Sequence, residues 1–194
     1  MNKEVRIDSE SANEAVTFND VKSYGKIPST AEEGTITGLI KAVRQLQEQW
    51  TGRSFIGKTI TVNWQQIPGG QLDLPFGPIR SITSIKRVYE DGTLSDALVE
   101  ATDYWISGMD FKQINLYKRW QSAGKIVTGI RATYVAGHGD QDGQVELPAP
   151  IRSALLRHVV TDANQRDDLE VYQPTLYDWT KEALAPFKIA DLWL

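Results

Sequence analysis

A chain of 194 residues with 21 basic and 25 acidic side chains carries a net charge of −4, which argues against any general affinity for nucleic-acid phosphates. The absence of cysteine excludes a disulfide scaffold and a cysteine zinc site, and fits a reducing compartment. No apolar run approaches the roughly 18 residues that span a bilayer, and "MNKEVRIDSESANEAV" lacks the apolar core of a signal peptide, so the expectation is a soluble protein made in the cytoplasm with no membrane partner.

Residues 1–16 are polar and mixed in charge, an extension expected to be ordered only where a neighbour holds it. "TFNDVKSYGKI" predicts a short helix with Asn19 as its cap and Gly25 as its stop. A longer helix follows. Ser29 and Thr30 each precede a glutamate by three residues, Glu32 and Glu33, which is a capping-box arrangement. Ile36, Leu39, Ile40, Val43, Leu46 and Trp50 then recur at helical spacing as one apolar stripe, with Lys41, Arg44, Gln45 and Glu48 on the other side. At Trp50 the pattern stops, and Thr51-Gly52-Arg53 leads into an alternating stretch.

The middle third changes period. "TITVNW" alternates, "QLDLPFGPIRSITSIKRVYEDGT" carries two proline-ended turns and an Asp91-Gly92 hairpin signal, and "KIVTGIRATYVAG" reads as a further long strand. This predicts an antiparallel sheet unit of six to eight strands. "LPAPIRSALLRHVVTDANQR" restores the helical period, with Pro150 in the first turn and Ile151, Ala154, Leu155, His158 and Val159 on one stripe. "LYDWTKEALAPF" predicts a shorter helix stopped by Pro186. The reading is an α+β fold: helices over 17–51 and 148–186 form one bundle, and a β unit over 55–137 is inserted between them.

No catalytic constellation emerges. Gly52-Arg53-Ser54 fails as a nucleophile elbow, because Ile56 stands where the second glycine belongs and the order is helix to strand. His158 lies on an apolar stripe and reads as a core or interface histidine. His138 sits in "AGHGDQDG", where the dinucleotide fingerprint fails on spacing and the calcium loop on its ligands, His138 standing first and Ala149 last where a bidentate glutamate belongs, leaving a strand-to-helix turn. An enzyme using His138, Asp140 and Asp142 on a metal is the weakest reading. Asp167-Asp168 and Glu32-Glu33 fall at helix ends, where carboxylates serve as solvated caps. Arg53, Arg80, Lys86 and Arg87 read as a basic face on the sheet unit or as a solvated strand face. No catalytic, cofactor-binding or metal residue is assigned, and no cofactor is expected.

"LIKAVRQLQEQWTGRSFIGKTITV", "LDLPFGPIRSITSIKRVYEDGT", "YVAGHGD" and "LPAPIRSALLRHVV", in that order, resemble the head-tail connector, or adaptor, family of tailed bacteriophages, prophages and gene transfer agents. The resemblance covers about residues 17–187 as a connector domain, leaving 1–16 as an extension and 188–194 as a tail. It implies a structural, non-enzymatic virion protein at the head-tail junction, made in the host cytoplasm. Its implied partners are the portal protein, a head-closure or tail-completion protein, and itself in a dodecameric ring, with packaged double-stranded DNA passing through the channel without specific binding.

Within that frame Trp50, Gly52 and Arg53 are the structural joint where the long helix enters the sheet unit, Gly52 suiting a left-handed helix end. "PFKIADLWL" is too apolar for a free end, and Phe187, Ile189, Leu192, Trp193 and Leu194 are the residues expected to bind the portal. The alternative, from another class, is a monomeric module whose aromatic-rich sheet holds a sugar or a peptide.

Overall fold

The computed structural model describes residues 2–27, 33–65, 70–109, 111–117, 125–139, 146–165 and 175–189. The chain divides into two compact units, Met1–Ser11 with Gly57–Gly137, and Ala12–Ile56 with His138–Leu194.

Among the described residues the first unit has seven antiparallel strands: β1 (Asn2–Glu10), β2 (Lys58–Gln65), β3 (Gln71–Asp73), β4 (Ile79–Tyr89), β5 (Tyr104–Ser107), β6 (Gln113–Leu116) and β7 (Val127–Ala136). They form a four-stranded sheet in the order β1-β2-β7-β4 and a three-stranded sheet in the order β3-β6-β5. Alternation explains the core. On β2, Ile60, Val62 and Trp64 point inward and meet Tyr134, Ala132 and Ile130 of β7 directly across the ladder. Leu72, Tyr104 and Ile114 of the smaller sheet complete the same cluster. Each fully buried large side chain contributes about 1.5–3 kcal/mol. The Tyr134 hydroxyl donates to the Pro75 carbonyl at 2.8 Å, and its burial pushes the phenol pKa up. Gly129 is required here, because a Cβ would lie 2.5 Å from the Trp64 carbonyl oxygen.

Residues 2–10 need no outside partner: β1 pairs with β2 from Asn2↔Gln65 to Glu10↔Lys58, Val5 lies opposite Val62, and Lys58 Nζ is 3.1 Å from the Glu10 carboxylate. The alternation in Glu4-Val5-Arg6-Ile7-Asp8 was a strand signal diluted by its charges. Asp91-Gly92 does turn the chain after β4. Gly92 has φ 78°, and Asp91 accepts from the Thr93 amide and hydroxyl and from Lys125, which together hold its carboxyl at about 2.

The second unit is helical: α1 (Phe18–Gly25), α2 (Glu33–Thr51), α3 (Ala149–Gln165) and α4 (Asp178–Leu184), the last followed by a 3-10 turn, Ala185–Phe187. The helices from the two ends of the sequence share one core, Val16, Val21, Ile36, Leu39, Ile40 and Val43 packing on Leu155, Leu156 and Val159. The cap of α1 is Thr17 rather than Asn19. Its hydroxyl accepts from the Asp20 amide, while the Asp20 carboxylate accepts from the Thr17 amide at 2.8 Å. That backbone hydrogen bond lowers the Asp20 pKa, helped by Arg152 on α3 at 2.8 Å. The second half of α2 also departs from its apolar stripe. Arg44, Gln47, Glu48 and Thr51 are buried, whereas Leu46 and Trp50 are only half-buried. Ser29, Thr30 and Glu32 lie outside the described residues.

Candidate functional site at the end of α2

The last two turns of α2 carry a buried ionic network that the sequence reading had placed in solvent. Arg44 is fully buried; its Nε donates to Glu14 at 2.7 Å and its guanidinium to Glu48, four residues on, at 2.7 Å. Glu48 reaches past the helix end and accepts from the Phe55 amide at 2.6 Å. One charged cluster thus ties the segment before α1, the body of α2 and the chain leaving it. Such a cluster is costly to desolvate and depends on each partner being satisfied.

The helix stops where it does because Gly52 adopts φ 71° and its amide donates to the Glu48 carbonyl at 2.9 Å. The Thr51 hydroxyl donates back to the Gln47 carbonyl at 2.8 Å. Directly beside this end runs the C-terminal segment. Arg53 Nε donates to the Phe187 carbonyl, the Ile189 amide donates to the Thr51 carbonyl at 2.9 Å, and Lys188 Nζ stands 4.9 Å from the centre of the Trp50 ring. Phe187 packs with Trp50 against Phe55, Ile151, Ala154 and Leu184. Two groups of residues read separately from sequence, Trp50-Gly52-Arg53 and the start of the apolar tail, therefore lie together. Leu192, Trp193 and Leu194 lie outside the described residues.

Trp50 is half-buried, so Trp50→Ala should cost about 1–2 kcal/mol, below the 3–5 kcal/mol of a fully buried tryptophan. A shift in urea midpoint at constant slope reads this directly.

A second polar chain crosses α2, α3 and the segment before α4. Gln47 Nε2 donates to His158 Nδ1 at 3.2 Å, leaving the imidazole proton on Nε2, 3.6 Å from Asp162. The Tyr177 hydroxyl donates to Asp162 at 2.8 Å, its ring meets His158 edge-on and stacks on Trp179, and the Arg157 guanidinium lies 4.2 Å from the centre of that indole. Burial lowers the His158 pKa, opposed by Asp162 and a backbone hydrogen bond with Thr175. His158 is thus a core histidine with one satisfied nitrogen: Nδ1 accepts from Gln47, while Nε2 faces Asp162 from beyond hydrogen-bond distance. A lowered folded pKa means the unfolded chain binds its proton first. The stability His158 supplies is complete above its unfolded value of about 6.5 and falls as pH drops below it. His158→Gln should flatten the fall in unfolding free energy between about pH 6.5 and 5, measured by denaturant titration at each pH.

The other candidates stay apart. His138 holds its turn closed, its amide donating to Ser54 at 3.4 Å and its Nδ1 lying 3.1 Å from the Glu146 carbonyl oxygen, while Asp140, Asp142, Asp167 and Asp168 lie outside the described residues. The four basic residues form no single face. Arg53 belongs to the helical unit, Arg80 donates to the Gly137 carbonyl, Arg87 pairs with Asp103 at 3.4 Å, and Lys86 points to the opposite side of β4 from Arg87. Among the described residues no three metal-binding side chains cluster, and no helix is long and apolar enough to cross a membrane.

No family model matches the chain, and no curated protein matches it. Solved structures do. The neck of an empty gene transfer agent particle, computed with C6 symmetry, contains a chain similar at TM-score 0.71 and 13% identity, with 98% of this chain and 97% of that one covered. The virion of a native gene transfer agent particle contains one at 0.71 and 13%, covering 97% of each. The neck of the native particle, computed with C12 symmetry, contains one at 0.63 and 12%, again covering 97% of each. At this identity the likeness is one of fold, over nearly the whole length on both sides. The α+β chain described here therefore has the fold of chains found in gene transfer agent necks, in keeping with its sequence resemblance to head-tail connectors.

Proposed function

We propose that the protein is a structural head-tail connector: a ring beneath the portal that extends the DNA channel and joins the filled head to the tail. The observation that carries this is the fold match, 97–98% of the chain on structures of a particle neck, two of them computed with six-fold or twelve-fold symmetry. A closed ring needs a heterologous interface, each copy giving one patch and receiving another, and twelve copies match the expected symmetry of a portal. The role is non-enzymatic, and a chain of net charge −4 suits a channel that must not retain the duplex. Its partners would be the portal, a head-closure or tail-completion protein, and further copies of itself.

Phe187 and Ile189 root the C-terminal tail beside Thr51 and Arg53, and Leu192, Trp193 and Leu194 are proposed to dock in an apolar groove of the portal. Trp50, Gly52 and Arg53 form the joint at which α2 ends. Deleting the gene should yield filled heads that carry portal but no tail and lose their DNA, counted by electron microscopy and nuclease protection. Tailed, DNA-retaining particles from the deletion strain would contradict the role.

A further inference from the structure

The charge of the chain is unevenly divided. The sheet unit has eleven basic and ten acidic residues, net +1, and the helical unit ten and fifteen, net −5. Within the sheet unit, the face of the four-stranded sheet turned away from its core is distinctive. Ladder register puts Lys86 of β4 directly opposite Arg131 of β7, and Arg131 opposite Asn63 of β2. The next rung carries Ser84, Thr133, Thr61 and Arg6, and the one after it Ser81, Val135 and Thr59.

Like charges facing each other across a ladder destabilise it unless an anion lies between or near them. None does here. Among the described residues neither Lys86 nor Arg131 makes an ion pair, and Arg131 Nε is satisfied by the neutral Asn63 Oδ1 at 2.7 Å. The carboxylates of this face are Glu4, which lines the same shallow hollow as Arg6 and Arg131, and Asp8, which is held by Arg6 and by the Thr61 hydroxyl, both at 2.6 Å.

We infer that this face is where the protein meets the phosphate backbone of duplex DNA. The inference deepens the connector reading and rests on it for the source of the DNA. Its chemistry is charge complementarity: two cations without carboxylate partners, set beside hydroxyls and an amide that can contact phosphate oxygens without reading sequence. Two such cations make a weak contact, and that weakness is functional, since each neutralised phosphate contributes a salt slope of only about 0.9. The net charge of −5 on the helical unit makes that unit the poorer neighbour for the duplex.

The test is an amide NMR titration of the full chain with a 12-base-pair duplex at 50 and 150 mM salt. Shifts should centre on Asn63, Ser84, Lys86, Arg131 and Thr133, and the apparent Kd should rise roughly sevenfold between the two salts for two phosphate contacts. Lys86→Glu with Arg131→Glu should abolish the shifts with the dispersed spectrum retained, whereas Lys41→Glu with Lys181→Glu on the helical unit should leave them in place. An absence of shifts, or shifts centred on the helical unit, overturns the inference. The outcome is separable from the connector reading, which is judged by whether the protein is present at the head-tail junction of particles.

Discussion

Arg44→Ala is expected to lower the stability of the protein by about 3–5 kcal/mol, the largest effect of any single substitution outside the sheet core. Arg44 is fully buried and Glu48 nearly so, and the guanidinium lies 2.7 Å from both the Glu14 and the Glu48 carboxylates. Its removal takes the guanidinium away from a buried carboxylate that also accepts from the Phe55 amide. The loss is therefore mainly the cost of keeping Glu48 buried without that guanidinium, more than the worth of the attraction itself. Coupling follows. Glu48→Ala should also destabilise, and the double variant should lose less than the sum of the two by 0.5–3 kcal/mol, on the order expected for neighbours in one network. Guanidinium unfolding of the four proteins reads this cycle, and strictly additive losses below about 1 kcal/mol each would show that the network carries no stability.

Removing residues 190–194 is expected to leave the fold intact and to abolish attachment to the portal. The boundary matters because the Phe187 carbonyl and the Ile189 amide are committed to Arg53 and Thr51. A cut at residue 187 would disturb the end of α2 as well as remove the tail, and the two effects would be confounded. A cut after Ile189 removes only Leu192, Trp193 and Leu194 from the apolar set. Each large side chain buried in a groove is worth about 1.5–3 kcal/mol, and each 1.4 kcal/mol is about tenfold in affinity, so a hundredfold or greater loss is expected. The unfolding midpoint should stay within about 0.5 kcal/mol of wild type. If the truncated protein joins isolated portal rings at wild-type stoichiometry, the tail is not the anchor and a surface of the helical unit must be.

Most of the architecture was legible because period carries it. The switch from helical spacing to alternation near Phe55, and back at Pro150, located the part of the sheet unit that follows α2 but not β1, and Asp91-Gly92 located a turn after β4. What sequence could not show were features decided by a distant partner. Val5 and Ile7 are too few to announce a strand, and β1 exists because Val62 and Ile60 lie across from them. Arg44 and Glu48 look like a solvent-facing i, i+4 pair, and only the approach of Glu14 and of the Phe55 amide turns that side of α2 inward. Asn19 and Thr17 are both good caps by composition, and Asp20, three residues after Thr17, selects the latter. For the candidate site, Gly52 was legible from its place after a helical run, whereas the contacts joining Thr51 and Arg53 to Ile189 and Phe187 span more than 130 residues and leave no local signal.

The central claim is that this chain is a ring component of the neck, and a reconstruction of the head-tail junction computed without imposed symmetry tests it most directly. Twelve copies in a closed ring against the portal are expected, with each α2 end turned toward it and the DNA channel continuous through the centre. Single copies, copies on the capsid surface, or a neck built without this protein would contradict it.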